Sequence, residues 1–185
     1  MCLSRWPGLH LPADLGTDRE GLRLGRGFRL ISLEEDLQQR LKGRITLVGV
    51  GNNWRGDDGA GVLLLNRLQG KVKAALIDAG EIPESFLGKI EETKPDTLLF
   101  LDAMDLGAEP GTVVLLEEGQ VGGTSWDTHK PSLALVMKYL RNSTGASVFL
   151  LGIQPREVGF GQGISDQVEE TLRSLEDILL RILSA

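Results

Sequence analysis

Short, continuous apolar runs that alternate with helical patterns constrain the fold of this chain more than any other feature. Thr97 to Ala103 is the strongest such run, and Ile45 to Val50 is a second one that ends in a glycine-rich turn. Runs of this length without polar alternation are typical of strands buried on both faces, which belong to mostly parallel sheets. We therefore predict an α/β fold, a three-layer sandwich in which a mostly parallel, twisted sheet of about five strands carries helices on both faces.

The same periodicities predict the other elements. Further strands are predicted over residues 74–79, 112–116 and 147–151, and helices over 59–68, 84–92, 132–141 and 166–183. A capping-box pattern at Ser32 predicts a short helix that ends near Lys42. Residues 1–31 show no sustained apolar period, so we expect a poorly ordered N-terminal extension followed by one α/β domain over residues 32–185.

Charge and composition argue against several classes of function. The formal net charge of -6 disfavours nucleic acid as the main partner, because phosphate binding requires a basic surface. Cys2 is the only cysteine, so neither an intramolecular disulfide nor a cysteine-rich metal site can form. The chain has no 18-residue apolar run and no secretory signal pattern, so we expect a cytoplasmic protein without membrane insertion. We also expect a monomer.

In parallel α/β sheets the working site lies at the carboxyl ends of the strands, and the first strand is followed there by a glycine-rich segment, residues 49–61. This segment departs from the dinucleotide pattern G-x-G-x-x-G, since Trp54 occupies the last glycine position. Asp57 and Asp58 would moreover repel a phosphate and suit a cation instead. We assign Asp57 to capping of the following helix and Asp58 to function.

Two more polar residues follow predicted elements. Asp102 ends the strongest strand, where burial of a carboxylate is costly unless it is paired or metal-bound. An alternative role for Asp102 is to accept hydrogen bonds from turn N–H groups around Met104 and Leu106. His129 lies in a loop before a helix, where a histidine on its own is usually a solvated surface residue.

Taken together, Asp58, Asp102 and His129 form a mixed oxygen and nitrogen set that can hold a divalent transition metal and leave coordination positions open. An aspartic dyad in which Asp58 and Asp102 share a proton is also conceivable, but it leaves His129 without a role.

The motifs of this chain resemble those of the [NiFe]-hydrogenase maturation endopeptidases, in the family's order and spacing. They comprise Gly49–Asn52 with Gly56–Gly61, Asp78–Gly80 with Pro83 and Glu84, Leu101–Gly107, Thr128 with His129, and Leu151–Pro155. The Thr-His pair and the Gly152–Pro155 block are most similar to the branch that serves formate-hydrogenlyase enzymes, the hydrogenase 3 type.

The resemblance implies an endopeptidase that removes a C-terminal extension from the nickel-loaded large-subunit precursor of a [NiFe] hydrogenase, its protein partner. It implies that Asp58, Asp102 and His129 are both catalytic residues and metal ligands. It also implies nickel supplied by the precursor as the metal, with zinc or cadmium as substitutes. Two other interpretations are a non-catalytic metal- or nucleotide-binding Rossmann-like module and an aspartic-type peptidase of broad specificity that needs no metal.

Overall fold

A computed structural model describes residues 32–121 and 131–184 of this chain. The predicted N-terminal extension, residues 1–31, lies outside the described residues, so its poor order and the domain boundary stay predictions.

The described residues form five strands that alternate with helices in chain order, except that β4 follows β3 directly. The strands are β1 (Ile45–Val50), β2 (Ala75–Gly80), β3 (Thr97–Ala103), β4 (Val113–Glu117) and β5 (Ser147–Ile153). The α-helices are α1 (Leu33–Arg40), α2 (Ala60–Leu68), α3 (Leu87–Glu92), α4 (Pro131–Thr144) and α5 (Asp166–Leu183). Short 3₁₀ helices cover Gly56–Gly59, Pro83–Phe86 and Glu118–Gln120.

The five strands form one sheet in the order β2-β1-β3-β5-β4. The β1–β2, β1–β3 and β3–β5 pairs are parallel, and only the edge strand β4 runs antiparallel to its neighbour β5. Every residue of β3, the central strand, is buried, as its continuous apolar sequence predicts. The predicted α/β fold with a mostly parallel sheet of five strands is confirmed.

Helices cover both faces of the sheet and bury two apolar clusters. Helices α1, α2 and α5 pack on one face, against side chains such as Leu47, Leu99 and Leu151. Helix α4 and the end of α3 pack on the other face, against side chains such as Phe100 and Leu150. Alternate residues of each strand therefore point to different clusters, and this alternation decides which helices each end-of-strand residue faces.

The local signals for helices α1 and α5 agree with the structure. Ser32 and Glu35 form the predicted capping box at the start of α1, which ends at Arg40, two residues before the predicted end. Helix α5 buries five apolar residues at steps of three and four, namely Val168, Leu172, Leu175, Leu179 and Leu183. Burial of each such side chain contributes roughly 1.5–3 kcal/mol. Among the described residues, no helix is both long and apolar enough to cross a bilayer.

Candidate active site

The carboxyl ends of β1 and β3 lie side by side, so the segments that follow them meet at one edge of the sheet. The parallel register pairs Gly49 of β1 with Leu101 of β3, which puts Val50 beside Asp102. The Gly51 N–H donates to the carbonyl of Gly80 at 2.9 Å and thereby joins the ends of β1 and β2. This edge is where the sequence predicts the working site.

Two glycines allow the loop after β1 to pack this closely. Gly51 has a φ of +125°, and a Cβ there would lie 1.9 Å from the carbonyl oxygen of Asp58. A Cβ at Gly61, in the first turn of α2, would lie 2.0 Å from the carbonyl oxygen of Leu101. Because glycine has no side chain, the loop can fold back at Gly51 and the start of α2 can pack directly against the end of β3 at Gly61.

Asp58 lies in the 3₁₀ helix Gly56–Gly59, which contacts β3. Its side chain is half-buried, and its Oδ2 accepts a hydrogen bond from the Asn52 N–H at 2.8 Å. This bond across the loop orients the carboxylate at the edge of the sheet while leaving it accessible to solvent and to a substrate.

Asp102 is the second-last residue of β3, the central strand, and is only 1% exposed. Asp102 lies two residues after Phe100 in the same strand, so both side chains face the side of the sheet that α3 and α4 cover. The N–H groups of Met104 and Leu106, near which the alternative role of Asp102 was predicted, have other acceptors. The Met104 N–H donates to the carbonyl of Ile153 at 2.9 Å, and the Leu106 N–H donates to Oε1 of Gln154 at 2.6 Å.

Asp57 does not cap a helix, and the assignment to capping is wrong. Neither the 3₁₀ helix nor α2 has a side-chain cap. The Asp57 carboxylate, 0% exposed, instead accepts hydrogen bonds from the N–H groups of Arg156, Glu157 and Ser165 and from the Ser165 hydroxyl, at 2.7–3.2 Å. Four donors compensate the burial of this anion, which joins the β1–α2 loop to the start of α5.

Gln154 performs a similar task for the loop that follows Asp102. It is 8% exposed; its Oε1 accepts from Leu106 N–H and from Ala108 N–H, and its Nε2 donates to the carbonyl of Pro155 at 3.0 Å. The sequence pattern marks Gln154 as part of a family block but does not indicate this role. A polar residue directly after an apolar strand is the only local signal that points to it.

His129 lies outside the described residues, so its distance from the two carboxylates stays untested. The helix that follows it is described, however. The 14 residues of α4 span about 21 Å, and the seven residues of β5 span about 23 Å. Because α4 ends three residues before β5 begins, its start at Pro131 lies near the carboxyl edge of the sheet, on the face toward which Asp102 points.

Further polar and apolar groups lie at the carboxyl ends of β1 and β2. A shallow cavity of about 300 Å³ lies at the ends of β1 and β2 and is lined by residues that include Asn52, Trp54, Asp78 and Glu81. The Asn52 side-chain amide donates to Oε2 of Glu81 at 3.0 Å. Within residues 32–121 and 131–184, no three histidine, cysteine or carboxylate side chains cluster as a metal site. The described part of the chain therefore contributes at most two ligands, Asp58 and Asp102, to the predicted set.

Solved hydrogenase maturation endopeptidases have the same α/β fold. HycI, a [NiFe] hydrogenase maturation protease from Thermococcus kodakarensis, superposes with a TM-score of 0.76 and 34% sequence identity, over 81% of this chain and 99% of that one. The solution structure of the endopeptidase HycI from Escherichia coli superposes with a TM-score of 0.66 and 31% identity, over 73% of this chain and 88% of that one.

Sequence comparison identifies the same family. The family model described as HycI, hydrogenase maturation protease, matches residues 62–182. The hydrogenase 3 maturation protease of Escherichia coli K12 is 36% identical over 137 residues, which cover 70% of this chain and 87% of that protein. This chain belongs to the hydrogenase maturation protease family. It is a protease, and the interpretation as a non-catalytic binding module is excluded.

The family assignment confirms the predicted function at the level of the reaction. Members of this family cleave a C-terminal extension from the large-subunit precursor of a hydrogenase. The matched residues 62–182 include Asp102 and His129, whereas Asp58 lies four residues before them.

Proposed function

We propose that Asp58, Asp102 and His129 recognise the nickel ion that the large-subunit precursor carries. The precursor presents this ion on its own cysteine thiolates near the cleavage point, and the three side chains complete its coordination. Two carboxylates and an imidazole supply oxygen and nitrogen donors suited to a divalent transition metal. Only a nickel-loaded precursor then docks with its scissile bond beside the carboxylates.

The position of Asp102 is the observation that supports this proposal. Asp102 is 1% exposed and lies near the end of the central strand, beside the end of β1 and the loop that carries Asp58. Asp102 also faces the side of the sheet where α4 begins, two residues after His129. The incoming cation would thus meet a buried carboxylate, a half-buried carboxylate and an imidazole that approach from three different segments of the chain.

Asp58 is the general base in this proposal, because its carboxylate is the more accessible of the two. It takes a proton from the attacking water, whose oxygen forms a bond to the carbonyl carbon of the scissile peptide. As the C–N bond breaks, the same proton passes to the leaving amine, and the carboxylate is restored. Asp102, which is buried, holds and orients the precursor's metal rather than exchanging protons with solvent.

The test compares precursor with and without inserted nickel, and follows the product by intact-mass measurement. We expect the wild-type chain to process only the nickel-loaded form. Asp58→Asn, Asp102→Asn and His129→Gln should each lower the rate by at least 100-fold, since each removes a ligand or the base. Asp177→Asn, an exposed carboxylate on α5, is the matched control and should process normally.

The outcomes separate the proposal from its rivals. Normal processing by Asp58→Asn or His129→Gln contradicts the metal-recognition site. Equal cleavage of nickel-free precursor, or of unfolded casein, supports the aspartic-type peptidase without metal instead. Zinc or cadmium in place of nickel should support docking, because both accept the same donor set. A cytoplasmic location and a monomeric state stay predictions, which fractionation and sedimentation would test.

A further inference from the structure

Three apolar side chains in the loops that follow β1 and β5 are exposed, although the described core buries most others. Trp54 is 73% exposed, Phe160 81% and Val158 42%. Folding gains little from apolar area that remains in water, so these side chains are not there for stability. They belong to two loops, the β1–α2 loop and the β5–α5 loop, which frame the candidate active site.

The two loops hold each other in a fixed arrangement. The Gly161 N–H donates to the carbonyl of Trp54 at 2.7 Å, which brings the backbone next to Phe160 against the backbone of Trp54. The Asp57 N–H donates to the carbonyl of Glu157 at 3.0 Å, and the buried Asp57 carboxylate binds the same loop from beneath. The aromatic side chains are therefore presented from an ordered framework, which lowers the entropy cost of binding a partner.

This surface is continuous with the residues proposed for catalysis. Trp54 lies four residues before Asp58 in the same loop and forms part of the wall of the 300 Å³ cavity. Asn52, which lines that cavity too, donates the backbone hydrogen bond to Asp58. A polypeptide whose scissile bond reaches Asp58 therefore passes close to Trp54 and the loop that carries it.

We infer that Trp54, Val158 and Phe160 form a docking surface for apolar side chains of the large-subunit precursor next to its cleavage point. This inference rests on the proposed function and adds to it the element that holds the peptide, as distinct from the metal. Exposed tryptophan and phenylalanine side chains supply large, rigid contact area, and such residues often dominate the affinity of an interface. A second copy of this chain is the competing occupant of the surface.

Initial processing rates at increasing concentrations of nickel-loaded precursor test the inference. Trp54→Ser and Phe160→Ser should each lower kcat/KM about 10-fold, mainly through KM, as expected when a central aromatic contact is lost. Trp54→Phe should recover most of this loss. Tyr139→Ser, which removes an aromatic side chain that is 49% exposed on α4, is the control and should leave kcat/KM unchanged. Thermal unfolding of all variants should stay close to the wild type.

Each result has a distinct meaning. Values of kcat/KM within twofold of the wild type for both Trp54→Ser and Phe160→Ser overturn the docking surface and leave the proposed function standing. A loss confined to kcat overturns it as well, because docking acts on KM. A wild-type dimer in sedimentation that Trp54→Ser converts to monomer identifies a second copy as the occupant. A wild-type chain that processes no precursor refutes the proposed function itself.

Discussion

Replacement of Asp57 by asparagine changes one atom of a buried side chain and should separate stability from activity at this site. Oδ2 of Asp57 accepts from Arg156 N–H, Glu157 N–H and the Ser165 hydroxyl, whereas Oδ1 accepts from Ser165 N–H at 2.7 Å. An asparagine oxygen can take over the Oδ2 position. Its NH₂ group would then face the Ser165 N–H, donor against donor.

These hydrogen bonds set the expected loss in the free energy of unfolding. One hydrogen bond to an ionised acceptor is lost, two buried donors oppose each other, and the remaining bonds weaken because the charge is gone. Hydrogen bonds to charged groups contribute about 1.5–3 kcal/mol, so the free energy of unfolding should fall by about 2–4 kcal/mol. For a domain of this size that loss lowers Tm by about 5–15 °C.

Urea unfolding and thermal unfolding of the purified chain measure the effect, and Asp58→Asn is the matched control one residue away. Asp58 is half-buried, and an asparagine oxygen there still accepts from Asn52 N–H, so its Tm should stay within about 3 °C of the wild type. Asp58→Asn should lose activity and keep stability. A Tm of Asp57→Asn within 2 °C of the wild type would refute the structural role of Asp57.

Two further predictions concern packing and acid stability. Gly61→Ala should destabilise the chain by about 3 kcal/mol or more in urea unfolding, because its Cβ would meet the backbone of Leu101, whereas Gly88→Ala in α3, with nothing within 4 Å, should be neutral or slightly stabilising. A side-chain hydrogen bond from Arg67 holds the pKa of the Glu169 carboxyl below its ordinary value of 4.5, so this pair stabilises the fold above pH 4.5 and less as the pH falls through the lowered pKa. The stability difference between the wild type and Arg67→Met should therefore shrink on acidification below pH 4.5, and a difference that stays constant from pH 7 to pH 3 contradicts this reasoning.

Local pattern predicted the elements of this fold well. The bounds of β1, β3 and α5 agree with the predicted ones, because buried strands and amphipathic helices each have a characteristic pattern of apolar residues along the sequence. The observed boundaries differ from the predicted ones where the local sequence allows more than one type of helix. The predicted helix over 84–92 begins as a 3₁₀ turn at Pro83, whose ring fixes φ but does not decide between the two helix types.

The sequence by itself therefore determined the α/β class, the elements and the acidic edge, since each is encoded by neighbouring residues. Only the tertiary structure decided what the adjacent aspartates do. Asp57 binds groups about 100 residues away and is buried as a structural anion, while Asp58 remains half-buried at the edge of the sheet. Two identical side chains in adjacent positions carry the same local signal, and their burial and hydrogen-bond donors depend on segments that only folding brings together.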